Sequence, residues 1–228
     1  MKTRIRTNGT IIFLTVVLIA FFPSKFLRLS TGALDAVLGC WGMALVMLGL
    51  LLRVCSRGYK AENSGNGHAL VKGGPYRFVR NPMYLGIFLI GLGVILISFR
   101  WWVLCVFVIF LAARYYTLIV KEERLLEQSF GDEYREYKTH TPRLFPMLLR
   151  WLTRNAAEYL PLRWQWLKRE LNSVILLPLV IAIIEIWKSV AIGHQRILIV
   201  EFFGFAVVIG VFTIFASGLQ RDYGRSAK

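Results

Sequence analysis

The stretch GPYRFVRNPMYLG, residues 74–86, decides the reading of this chain. It gathers two arginines, an asparagine and several aromatic rings around a proline, and the chain after it turns almost wholly apolar. Asn is a preferred helix N-cap, and Pro is favoured at the first helical position, where its missing N–H would be unpaired anyway. Asn81-Pro82 therefore predicts a helix starting at Pro82, with Arg77 and Arg80 just outside it. Such a start carries partial positive charge and unpaired N–H groups, and attracts anions.

Working outward, the apolar runs multiply. Hydrophobic residues make up 56% of the 228, and mean hydropathy is +0.55. Several runs approach the roughly 20 residues that cross a bilayer. Six spans are expected, at about 10–29, 32–53, 82–99, 101–120, 172–190 and 197–217, with the segment from 54 to 81 read as a polar, glycine-rich loop. The fold class is all-α, a polytopic transmembrane helical bundle. Residues 1–149 form its core, and 150–228 add an interfacial segment and an extra transmembrane hairpin. The first run follows Lys2, Arg4 and Arg6, as a signal peptide would. Lys25, Arg28 and a second apolar segment favour an uncleaved helix instead.

The net charge is +15, from 28 Lys and Arg against 13 Asp and Glu. In a membrane protein such an excess marks cytoplasmic loops, so no nucleic-acid partner is expected. Six spans put the N-terminus, both basic regions and the C-terminal tail together on that side. Residues 150–169 mix Trp151, Tyr159, Trp164 and Trp166 with arginines and lysines, the makeup of an interfacial segment. Cys40, Cys55 and Cys105 lie in or beside apolar segments without metal or redox spacing, and His68, His140 and His194 show none either. No metal is expected.

Two helices of a hairpin, each rising about 27 Å, return the chain to the face from which Pro82 departs. They bring Glu122-Glu123 there. Carboxylates at a helix C-terminus oppose the helix dipole and call for a counter-charge, from Arg80, Lys121 or a cationic ligand. A zwitterion would satisfy both ends of such a pole; solvated acids flanking Lys121 and Arg124 would equally explain the pair. Residues 121–139 repeat Leu125, Leu126, Phe130, Tyr134 and Tyr137 at helical spacing, with Gly131 as a break, and read as an amphipathic extension on the membrane surface. Arg114, eight residues before Glu122, is an intramembrane ionisable residue, and so a candidate either for holding a ligand's carboxylate or phosphate or for snorkelling to the interface. Glu185 and Lys188 read as an i,i+3 pair. The Gly91–Gly93 stretch reads as a close helix contact.

GPYRFVRNPMYLG followed by EERLLEQSFGDEYREYKTHTP resembles the superfamily of integral membrane methyltransferases. That superfamily includes isoprenylcysteine carboxyl methyltransferases and phospholipid N-methyltransferases. Gly74, Tyr76, Arg80, Asn81, Pro82, Tyr84 and Gly86 match its first block. Glu122, Glu123, Leu126, Phe130, Gly131, Tyr134, Tyr137 and Pro142 match its second. The resemblance covers about residues 70–146 and implies S-adenosylmethionine as cofactor, held in a cytoplasmic cofactor pocket with Gly74, Tyr76, Arg80, Asn81, Pro82, Tyr84, Glu122 and Glu123 around it. Glu122 or Glu123 is expected on the cofactor's amino group or ribose, and Arg80 on its carboxylate. Arg80, Tyr84 and Glu123 are the expected catalytic residues, and Arg114, Tyr137 and Arg143 the acceptor side. The implied acceptor is a lipid or lipidated molecule offering a carboxylate, amine or thiol. Asn81 stands where the eukaryotic carboxyl methyltransferases usually carry His, which excludes base chemistry at that position. Two rivals share the layout: an NADPH-dependent reductase of the sterol type, and a non-enzymatic membrane component.

Overall fold

The computed structural model describes residues 23–28, 33–144, 160–192 and 195–226, and among them every regular element is helical. The α-helices are α1 (Pro23–Phe26), α2 (Ala33–Asn63), α3 (Pro75–Phe78), α4 (Pro82–Ser98), α5 (Trp101–His140), α6 (Trp164–Arg169), α7 (Leu171–Ile192) and α8 (Gln195–Ser226). Three of them, α2, α5 and α8, are long and apolar enough to cross a membrane, and α4 is a shorter apolar helix. The first expected span falls mostly outside the described residues. The expected spans at 82–99 and 172–190 correspond to α4 and α7.

One boundary differs from the sequence expectation. α2 runs to Asn63, ten residues into the expected loop, because Val54, Cys55 and Ser56 are buried and α6 packs against the extension. α5 continues past the expected span through the expected helical stretch at 121–139, 40 residues in all, to His140. It bends at Gly131, whose φ of 52° is outside the helical region.

The most extensive helix pairing joins α2 to α4, antiparallel. Lipid is as apolar as Leu, so helices in a bilayer pair by close packing rather than by hydrophobic drive. Here glycine sets the distance. A Cβ on Gly49 would lie 2.6 Å from the Gly86 carbonyl oxygen, and one on Gly93 only 2.4 Å from that of Gly42. The pairs recur at seven residues, two helical turns, so both fall on one face.

At the far end of α4, cations meet its terminal carbonyls, as the helix dipole favours. Arg28 donates to the Leu96 oxygen at 2.6 Å and pairs with Asp35 at 2.7 Å. The expected Glu185–Lys188 pair forms at 2.7 Å, both partners buried, and Ser98 donates to Glu185 at 2.7 Å.

The C-terminal segment shares this core. Leu160, Leu162, Trp166 and Leu219 cluster with Leu51, Leu52, Cys55, Val79 and Leu85, while Ile181 and Phe205 join Met43, Val46 and Ile97. Trp166 is only 1% exposed, which corrects its expected place among the interfacial rings. It lies over Gly58 and donates its indole N–H to Glu62 at 2.6 Å. Trp164 is exposed, whereas Trp151 and Tyr159 lie outside the described residues.

Candidate functional site at the joined ends of α4 and α5

The approach to the site begins at Gly74. Its φ of 54° is a conformation that side chains resist, and a Cβ there would stand 2.9 Å from the Tyr59 ring. The turn leads into α3, where Tyr76 is buried and its hydroxyl donates to the Ser56 carbonyl at 3.4 Å. Tyr137 is buried as well and donates to the Tyr76 carbonyl at 2.5 Å, which joins α3 to the end of α5. Arg77 is exposed.

Val79 is extended and fully buried, so Arg80, its neighbour, turns in beside the chain that leaves α5. The Arg80 backbone N–H donates to the Pro142 carbonyl at 2.8 Å. α4 starts at Pro82 with Asn81 at its N-cap position, but the Asn81 side chain makes no capping bond. That corrects the expected reason for the helix start. Pro82 and the Leu85 N–H donating to the Asn81 carbonyl at 3.2 Å suffice for it. The Asn81 amide instead donates to the Arg143 carbonyl at 3.2 Å and to Glu123 Oε1 at 3.5 Å.

Glu122 and Glu123 arrive on α5, about 100° apart around the helix axis, and they part company accordingly. Glu123 is buried at 4% exposure. Its Oε2 accepts from Arg143 Nη2 at 2.9 Å, and its Oε1 accepts from Arg143 Nε at 3.3 Å. Arg80 Nη1 lies 3.5 Å from the same Oε1, as an ion pair without the geometry of a hydrogen bond. Three side chains from two segments, residues 80–81 and 143, thus converge on one buried carboxylate. Glu122 is exposed, makes no ion pair among the described residues, and accepts from the Tyr84 hydroxyl at 2.7 Å.

The carboxylate of Glu123, hydrogen-bonded to the guanidinium, holds Arg143 above its usual pKa. Burial, helped by the Glu123 charge, pushes the Tyr134 hydroxyl up to about 12. Both keep their protons at neutral pH. Arg80 is the exception to this mutual satisfaction. Its side chain is 10% exposed, yet its Nε and Nη1 are buried without a hydrogen-bond partner among the described residues. Guanidinium N–H groups left unpaired in a buried place are costly, and an anion there would satisfy them.

The structure therefore brings Arg80, Asn81, Glu123 and Arg143 into one cluster, with Tyr84 and Glu122 beside it. Arg114 is not in it: the residue is exposed on α5. Sequence reasoning passed over two rings. Tyr115 lies with its centroid 5.1 Å from Tyr84, and Arg143 stands 6.0 Å over the Tyr116 ring. Their positions, each seven residues before one of the two glutamates, are the signal that would have found them, since two turns return a side chain to its face.

The model of the phospholipid methyltransferase family matches residues 38–133. That segment contains the first sequence block and the start of the second. Over 88 residues the chain is 31% identical to the protein-S-isoprenylcysteine O-methyltransferase of Schizosaccharomyces pombe, a match covering 39% of this chain and 37% of that one. The chain thus spans little more than a third of the length of this curated relative. No solved structure matches.

Proposed function

We propose that this chain is an integral membrane enzyme that transfers methyl from S-adenosylmethionine to a membrane-embedded or amphiphilic acceptor. The observation that carries the reading is Arg80, a buried guanidinium with two nitrogens that find no hydrogen-bond partner among the described residues, at the pole where the two motif blocks meet. The residues present fit the cofactor's zwitterionic end. Arg80 would take its carboxylate, helped by the amides at the start of α4. Glu122, which lacks a cation partner among the described residues, would take its ammonium. Glu123 is already engaged by Arg80, Asn81 and Arg143, so of the two acids it is the one that holds the others in place.

The bound cofactor supplies an activated methyl on a positively charged sulfur. This chain's contribution would be to bind and orient, since fixing both reactants in line can account for much of such a rate enhancement. The Tyr84 and Tyr115 rings beside Glu122 suit a cationic group. A carboxylate acceptor needs no base; an amine must lose a proton, and Asn81 cannot accept one. The positive-inside rule puts the site and both termini on the cytoplasmic side of six spans. An apolar acceptor would enter sideways from the bilayer between helices.

Calorimetry on the purified full chain tests the reading. Saturable S-adenosylmethionine binding is expected, weakened roughly 30-fold or more by Arg80→Met, the loss typical of truncating a buried charge pair. NADPH binding in its place would point to reductase-type chemistry, and binding of neither would end the enzymatic reading. Membranes labelled with methyl-tritiated cofactor would then show which lipid or protein fraction gains counts.

A further inference from the structure

We infer that Asn81 is a positioning residue, a two-way clamp that ties the segment leaving α5 to the start of α4 and so holds Glu123 and Arg143 ready for the cofactor. The inference rests on the cofactor reading above for its consequence, but its geometry stands apart from it.

The side chain sits at an N-cap position and leaves capping undone. Its amide nitrogen faces two acceptors, the Arg143 carbonyl at 3.2 Å and Glu123 Oε1 at 3.5 Å. Both acceptors lie far along the chain, 62 and 42 residues away. One residue earlier, the Arg80 N–H holds the Pro142 carbonyl at 2.8 Å. Consecutive residues 80 and 81 therefore grip consecutive carbonyls of residues 142 and 143, one by main chain and one by side chain. Arg143 then bends back to Glu123 through two hydrogen bonds. Residues 141–144 become a strap fastened to the start of α4 at both bonds, with the buried acid underneath.

The chemistry of the position asks for a neutral group that donates twice. Both partners are oxygen acceptors, so a carboxylate there would face a carboxylate. An amide NH2 carries two protons at every pH, whereas a neutral imidazole carries one. On this view Asn81 neither contacts the reacting atoms nor moves a proton. It acts through Arg143 and Glu123.

Tryptic cleavage of the Arg143–Leu144 bond, followed by mass spectrometry and normalised to cleavage at other sites in the same digest, reads the strap directly. Asn81→Leu keeps the shape and removes both donors. It is expected to raise relative cleavage at that bond about tenfold and to weaken S-adenosylmethionine binding about tenfold, the effect of leaving one or two buried acceptors unpaired. Asn81→His retains one ring N–H for the Arg143 carbonyl and is expected to be cut at a rate between those of wild type and Asn81→Leu. The inference is overturned if Asn81→Leu is cut at that bond no faster than wild type, if all sites speed up equally, or if Asn81→His is cut as fast as Asn81→Leu. Wild-type protein that binds no S-adenosylmethionine would end the cofactor reading, while the cleavage comparison would still decide the clamp.

Discussion

Glu123→Gln should destabilise the protein even with no cofactor present. Gln matches the shape of Glu but removes the charge that two guanidiniums share. Arg143, bonded at 2.9 Å, has a side chain 38% exposed and can turn to solvent, so its share of the loss is small. Arg80 cannot escape: its side chain is 10% exposed and lies 3.5 Å from the carboxylate. Removing one partner of a buried pair typically costs 3–5 kcal/mol, and the wide Arg80 distance puts the expectation at the lower end, about 3 kcal/mol. For a chain of this size that lowers the unfolding temperature by about 6–12 °C. Thermal unfolding in detergent would be measured for wild type, Glu123→Gln, Arg80→Gln and the double variant, all without cofactor. The cycle should give a coupling of at least about 1 kcal/mol, the double variant being less damaged than the two single losses together. Additive losses, or a Glu123→Gln protein that melts with wild type, would refute the assignment of Glu123 as a shared internal counter-ion and return it to the role of a free cofactor ligand.

Other substitutions probe the frame around this cluster. Gly86→Ala puts a Cβ 2.8 Å from the Gly49 carbonyl oxygen and must push α4 off α2; overpacking of this kind costs about 1–3 kcal/mol, visible as a lower unfolding temperature. Glu185→Leu strands the buried Lys188 and should cost about 3–5 kcal/mol, whereas Glu185→Leu with Lys188→Met should melt near wild type. Trp166→Ala empties the space over Gly58 and leaves Glu62 without its indole donor, for about 3–5 kcal/mol in the same assay.

The parts of the fold written in local chemistry were readable in advance. Asn81-Pro82 marked the helix start, the hairpin length returned Glu122-Glu123 to it, and Gly131 marked a bend, because each depends on a few neighbouring residues. What escaped depends on partners distant in sequence. α2 continues through residues 54–63, whose composition reads as loop, because Trp166 and Glu170 meet it from a segment over a hundred residues away: Arg57 pairs with Glu170 at 2.5 Å. Asn81 looked like a cap because capping is what Asn does at that position; only the arrival of residues 142 and 143 gives its amide better work. The twin glutamates could not be told apart by sequence, since only the direction from which α5 approaches decides which one faces Arg80.

The site is thus held from two sides by different means. Below it, glycine pairs lock α2 to α4 at backbone contact, so the start of α4 has little freedom to slide. Above it, the strap at 141–144 is fastened to residues 80 and 81 by donors that need no change of charge at neutral pH. Between them stands Arg80, whose Nε and Nη1 have no hydrogen-bond partner among the described residues. A rigid frame around an unsatisfied buried cation disfavours the empty state and favours whatever anion completes it, because the cost of the unpaired nitrogens is recovered on binding. The C-terminal helices belong to this frame: Leu160, Leu162, Trp166 and Leu219 pack on the same residues of α2 and α4 that lead to the site. The geometry of the matched segment at 38–133 therefore depends on chain outside the match.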